Sequence, residues 1–296
     1  MIRARDIKKA YRRTTVLRGV SLNVQPGTIH GFVGPNGAGK STFLKCLVGV
    51  VHPDSGTLEI DGIDGRRNSL EVRRRVGYAP AETSLYHRMK AVELLDFAIR
   101  YHPHSDLARG KALLDDLGVP HDRKVGALSH GMKRKVILAQ AIASNAPVMI
   151  MDEPMEALDP EARRIVEELL KDECRKGRTI FLSSHDLFST QRLCSQVTFL
   201  HRGLVLRDGP VDTLLSGVPG RLHVQLREPM DLKSLPTDGG LSWTGNGVDW
   251  QVSFETPLES VTRQLSTLPL ASLKDDSSNL EDLFERLYDD ESEPES

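Results

Sequence analysis

The stretch Gly34-Pro35-Asn36-Gly37-Ala38-Gly39-Lys40-Ser41-Thr42 limits what this chain can be more than any other feature. It contains the pattern G-x-x-x-x-G-K-[ST] in full. The residue types suit one kind of partner, a polyphosphate. Such an anion presents many oxygens that each accept hydrogen bonds. A tightly wrapped run of backbone N–H groups answers them with a fixed array of donors. Gly34, Gly37 and Gly39 let the backbone come close and adopt dihedrals that other residues resist. Lys40 supplies a point charge for the β- and γ-phosphates, and the Ser41 hydroxyl suits Mg²⁺. A helix starting here would aim its positive end at the same anion.

The flanks carry the context that the pattern requires. Residues 28–33 read as a short buried strand leading in. Ser41 to Val48 read as a helix leading out, with Phe43, Leu44, Leu47 and Val48 on one face. A glycine-rich turn with a chance lysine would lack both.

Composition removes several alternatives. Hydrophobic residues are 39% and charged residues 27% of the 296, an ordinary soluble mixture. The formal net charge of −2 gives no basic field for nucleic acid. The local clusters Arg3 to Arg18, Arg73-Arg74-Arg75 and Lys133-Arg134-Lys135 read as solvated faces. The 3 cysteines lack metal spacing and read as reduced thiols, with Cys46 in the core. Residues 1–6 lack the apolar centre of a signal peptide. No apolar run approaches the ~18 residues that a spanning helix needs.

Taken in order, residues 2–25 read as strands joined by a turn, with Tyr11 near that turn. A further short strand over residues 57–60 suggests a small β layer beside the phosphate loop. Helices are expected over residues 69–75, 90–101, 107–117, 133–143 and 160–176. Residues 147–151 form a continuous apolar run, as a parallel strand buried on both faces does. It delivers Asp152-Glu153 at its C-terminal edge, where ligands bind in open α/β sheets. Residues 179–184 repeat this design and deliver His185. Asp159 suits a helix cap and Pro160 the first turn. A composition shift at residues 217–220 suggests a linker, followed by alternating and helical segments and an acidic tail.

The phosphate loop, the strand ending in Asp152-Glu153 and the strand ending in His185 together resemble the ATP-binding cassette (ABC) ATPases. Leu128-Ser129-His130-Gly131-Met132 is similar to the signature of that family, and Ala157-Leu158-Asp159 to its D-loop. Tyr11 matches its adenine-stacking aromatic. Over roughly the first three quarters of the chain, the motifs follow the family's order. The Gly-Met-Lys-Arg form of the signature resembles the stand-alone nucleotide-binding subunits of multidrug- and antibiotic-type exporters.

The resemblance implies an α/β P-loop fold with a mostly parallel core sheet, an antiparallel β layer and a helical subdomain at about 83–145. The cassette is expected over 1–216, a small α+β domain over 220–288 and a disordered acidic tail over 289–296. ATP and Mg²⁺ are the implied cofactors. Residues 34–42 would bind the phosphates, Ser41 and Asp152 the metal, and Tyr11 the adenine. Glu153 would polarise the attacking water, and His185 would contact the γ-phosphate beside Lys40. Ser129 and Gly131 would reach a partner's ATP, and Asp159 would help join two sites. The implied partners are a second nucleotide-binding subunit, identical or different, and a separate membrane permease. The chain would then work at the inner face of the cell membrane.

Three departures stand out. The family carries Gln or Glu directly after a Tyr-x-Pro strand end, where this chain has Ala81. Either Glu82 takes that role or the contact is missing. His130 replaces the first signature glycine, and Ala157 stands where the D-loop usually has glycine. The alternatives to an exporter subunit are a nucleotide-gated regulator and a soluble cassette ATPase. Cassettes that act on nucleic acid or ribosomes usually carry two copies per chain or a long coiled-coil insertion, and neither is visible here.

Overall fold

Two patterns of burial build the first half of the molecule. In the computed structural model, which describes residues 1–82, 85–216, 219–275 and 279–290, the chain forms two units. The first is Met1–Pro210, and the second begins at Val211. The first unit opens with β1 (Ile2–Tyr11), β2 (Thr14–Val24), β3 (Ile29–Val33), α1 (Lys40–Leu47), β4 (Ser55–Ile60) and β5 (Ile63–Asp64). It continues through α2 (Ser69–Arg75), β6 (Val76–Ala79), α3 (Ala91–Ile99), α4 (Leu107–Asp116), α5 (His130–Ala143) and β7 (Val148–Asp152). It ends with α6 (Pro160–Arg175), β8 (Thr179–Ser184), α7 (Leu187–Leu193), β9 (Gln196–His201) and β10 (Leu204–Pro210).

Strands β3 and β7 are buried at every residue, which explains their unbroken apolar runs. They lie inside a six-stranded sheet of order β10-β9-β3-β8-β7-β6. It is parallel from β9 to β6, with β10 added antiparallel at one edge. Strands β1 and β2 instead show one buried face, through Ile2, Ala4, Ile7, Val20, Leu22 and Val24. They belong to a separate antiparallel sheet, β2-β1-β4-β5. One core joins that layer to α1 and the main sheet, with Phe32, Phe43 and Phe181 in mutual ring contact. A second core packs α3, α4 and α5 against the other face, through Leu95, Leu114, Ile137 and Met149.

At Gly77 in β6 a Cβ would meet the Ala141 carbonyl at 2.4 Å and the Ser144 hydroxyl at 2.6 Å. Glycine therefore lets the end of α5 rest directly on the strand backbone. A buried carboxylate holds the same region. Glu173, with no exposed surface, accepts from Arg178 at 2.7 Å and Lys176 at 2.9 Å, and also pairs with Arg109. Burial opposes its ionisation, but these three cations outweigh that and hold its carboxyl below the usual range. Arg178 also donates to the carbonyls of Ala141, Ile142 and Ala146, satisfying groups at the C-terminal end of α5.

His30 in β3 is a second buried polar group. Its Nε2 lies 2.7 Å from the Thr198 hydroxyl and 3.6 Å from Asp208. Burial pushes its pKa down to about 4. The unfolded chain therefore takes up a proton near pH 6.5 that the folded chain refuses. The stability this represents is intact above pH 6.5 and is lost as the pH falls towards 4, by about 3 kcal/mol. Urea unfolding of His30→Gln is expected to show a shallower loss across this window than the parent. Equal slopes would exclude His30 as the source.

The second unit contains α8 (Val211–Leu215), β11 (Gly220–Leu226), β12 (Ser242–Asn246), β13 (Asp249–Phe254), α9 (Leu258–Leu265), β14 (Leu270–Asp275) and α10 (Leu280–Asp290). Its sheet has the order β12-β13-β11-β14, antiparallel throughout. Trp243 and Trp250 meet edge to face in its core, beside Val261 and Leu265 of α9.

Several expectations need correction. The division falls after Pro210, ahead of the expected linker, because α8 belongs with the second unit. Gly217 and Val218 of that linker lie outside the described residues, as do 291–296 of the tail. Asp289 and Asp290 continue α10 and so do not belong to a disordered tail. Arg134 is not on a solvated face, being 2% exposed. It sits on the buried side of α5 with Ile137, Leu138 and Ala141, one and two turns further on.

Candidate functional site

The phosphate loop joins β3 to α1, and its last glycine enters the helix in a left-handed conformation, φ 111°. At Gly34 a Cβ would lie 2.1 Å from the Leu200 carbonyl, so no side chain fits there. The loop forms one wall of a 480 Å³ cavity, through Pro35, Asn36, Gly37, Gly39, Lys40, Ser41 and Thr42. Tyr11 and Val16 of the antiparallel layer line it as well, as do Ala81, Glu153 and Glu156. Gly34 and Ala38 act from behind: the Gly34 carbonyl accepts from Lys40 Nζ at 2.6 Å, and Ala38 N–H donates to the Pro35 carbonyl.

Lys40 is 6% exposed, and its ammonium lies 3.4 Å from Glu153 Oε1. The other oxygen of Glu153 lies 2.9 Å from His185 Nδ1. A cation, a carboxylate and an imidazole that follow three separate strands thus stand in sequence, joined by an ion pair and a hydrogen bond. Parallel strands place them together, because β3, β7 and β8 all finish at the same edge.

Glu153 has a φ of 50°, which is unfavourable for a residue with a side chain. Its N–H donates to the Ser183 hydroxyl at 3.0 Å, and that hydroxyl donates to Asp152 Oδ1 at 2.6 Å. Ser183 therefore holds the Asp152 carboxylate and the Glu153 backbone, a role the sequence reading does not assign. A serine facing an acidic pair across adjacent strands, in the Asp152–Ser183 register, is the signal for it. Glu156 on the cavity wall was likewise not expected.

Asp152 is 1% exposed at the end of β7, while the Ser41 hydroxyl lies on the cavity wall. Both offer hard oxygen ligands. Among the described residues no group of three or more His, Cys, Asp or Glu could hold a metal alone. Mg²⁺ commonly takes one or two carboxylates and completes its shell with substrate phosphates, so this donor set fits it.

The remaining expected residues divide. Ser129 caps α5, its hydroxyl accepting from Met132 N–H at 3.2 Å, so the helix begins at His130 rather than near Lys133. Gly131 follows at once, and a Cβ there would lie 2.7 Å from the Ala157 carbonyl. Asp159 caps α6 through Ala162 N–H at 2.8 Å and pairs with Lys135 at 3.1 Å. These two contacts hold its carboxyl below the usual range. Ser129, Gly131 and Asp159 thus form a second group that does not line the phosphate cavity. Glu82 joins neither: it pairs with Lys45 at 3.0 Å, and Ala81 is the residue of that loop which lines the cavity.

Comparison with known proteins agrees with this geometry. Residues 17–156 match the family model of the ABC transporters. The Nod factor export ATP-binding protein I of Burkholderia thailandensis is 36% identical over 229 residues, covering 76% of this chain and 75% of that protein. The protein of the same name from Burkholderia orbicola is 31% identical over 290 residues, covering 96% and 95%. A solved ATP-binding subunit of an ABC transporter superposes with a TM-score of 0.68 at 30% identity, covering 72% of this chain and 91% of its own. With a phosphate loop, a carboxylate pair and a histidine gathered at one sheet edge, the chain belongs to the ATP-binding cassette transporter family and is one of its ATPases.

Proposed function

We propose that two such cassettes, in the simplest case two copies of this chain, clamp ATP between them and drive a separate membrane permease of the exporter type. The observation that carries this reading is the division of the site residues. Lys40 and Glu153 share one cavity, and His185 reaches it through its bond to Glu153, whereas Ser129 and Gly131 are exposed or half-buried outside it. A second copy can bring its Ser129 and Gly131 to the outer side of that cavity.

Phosphoryl transfer to water asks the protein for charge neutralisation and alignment rather than covalent chemistry. Lys40 and the loop N–H groups face the phosphates. His185 donates towards the γ-phosphate while its other side meets Glu153. Glu153 accepts from the attacking water and orients it. Tyr11, 45% exposed on the cavity wall, offers its ring to the adenine. Ser41 and Asp152 would hold Mg²⁺, which when bound neutralises charge on the phosphate oxygens. Among the described residues no helix is long and apolar enough to cross a membrane. We assign the transport path to a separate chain. The exporter names of the relatives support that assignment, and with it a place at the inner face of the cell membrane.

One purification tests both parts. Taken from membranes in mild detergent, the full chain is expected to bring an integral membrane protein with it. Once freed of that partner, its specific ATPase activity is expected to fall on dilution, because half of each site comes from the other copy. A constant specific activity at every concentration would remove the shared site. The absence of any membrane protein in the preparation would remove the permease.

A further inference from the structure

Arg134 is the largest fully buried side chain of the described residues. Burying a guanidinium is unfavourable unless its donors are satisfied. Among the described residues it has no carboxylate within ion-pair distance. It donates instead to two main-chain carbonyls, those of Pro80 and Asp152, and its Nε has no partner. Burial works against its charge, and the fields of Asp152, Glu156 and Glu153 favour it.

The location of those carbonyls gives the arrangement its meaning. Strands β6 and β7 pair as far as Ala79 opposite Met151. Pro80 and Asp152 come next, where the ladder stops and Pro80 has no N–H to extend it. Arg134 bridges the two strand ends there. The Asp152 carbonyl also belongs to the peptide plane that ends in Glu153 N–H. That plane is gripped on both sides, its oxygen by Arg134 and its N–H by Ser183. Gripping it sustains the φ of 50° at Glu153 and so aims the carboxylate at Lys40 and His185. Pro80 adjoins Ala81, which lines the cavity but has no side chain able to reach across it.

We propose that Arg134 is a positioning residue that ties the loop at Pro80-Ala81 to the carboxylate of Glu153, from a helix that begins at the signature serine. In this chain it links that loop to the water-orienting group although position 81 carries no side chain long enough to do so. The inference rests on the assignment of Glu153 as that group.

Two substitutions separate geometry from charge. Arg134→Lys keeps the cation but replaces a planar fork with a single ammonium, which bridges two carbonyls poorly. Arg134→Met removes the charge and keeps the volume. Both are expected to lower kcat about tenfold or more, since small misplacements of a catalytic group have effects of that size. KM for ATP and the affinity for a fluorescent ATP analogue should stay within about twofold, as the phosphate loop is untouched.

A parental kcat in both variants, or a KM for ATP that rises as far as kcat falls, overturns the proposal. If Arg134→Met does not fold, Arg134→Lys decides, and a parental kcat at unchanged Tm is then the negative result. Glu153→Gln separates the two levels. If it hydrolyses ATP at the parental rate, the Glu153 assignment itself is wrong. If it is inactive while the Arg134 variants behave as the parent, only the present inference fails.

Discussion

Glu153→Gln is expected to bind ATP as the parent does and to lose hydrolysis by about 10²- to 10³-fold, within the range for removing a general base. The amide keeps the shape and the left-handed backbone. It keeps one acceptor towards His185 but cannot take up a proton from water. It also ends the 3.4 Å ion pair with Lys40, which frees that ammonium for phosphate. Nucleotide affinity should therefore hold or rise while kcat falls, and this split marks loss of a group that acts in the transition state. Single-turnover hydrolysis and equilibrium binding of an ATP analogue measure the two halves. Equal loss of binding and turnover would make Glu153 a structural carboxylate instead.

Glu173→Ala is expected to produce the largest loss of stability. The substitution leaves Arg178 buried beside Arg109 with no carboxylate between them. Removing one partner of a buried ion pair costs about 3–5 kcal/mol. For a unit of this size, that corresponds to a fall in Tm of about 10 °C. Calorimetry at neutral pH reads it directly. A midpoint within about 2 °C of the parent would mean that water reaches these groups and screens them. Glu173 pairs with Arg178 just ahead of β8, at the opposite end of that strand from His185, so the surviving folded fraction should still bind ATP.

The parts of the site that were legible in sequence are those made of consecutive residues. A phosphate loop needs a strand before it and a helix after it, and both flanks are written within twenty positions. Strands buried on both faces announce themselves as unbroken apolar runs, so Asp152-Glu153 and His185 could be placed at strand ends. What could not be read in this way depends on contacts between distant segments. Arg134 stands between two lysines and looks like them until the face of α5 is known. With Ser129 recognised as the cap, its spacing from Leu138 and Ala141 would have placed it inside. Glu82 is acidic and adjacent, but which residue faces the cavity is set by how the loop leaves β6. Strands β12 and β14 escaped notice because short strands at a sheet edge carry little alternation: β12 buries only Trp243.

At Gly77 the backbone of β6 presses on α5 with no side chain between them. Such a contact fixes how high the helix end stands above the strand, because neither backbone can come closer. From Ala141 the helix runs about 18 Å to Ser129 and about 10 Å to Arg134. The exposed cap and the buried guanidinium are thus carried on one stem, and any substitution that lifts its seat at Gly77 displaces both together.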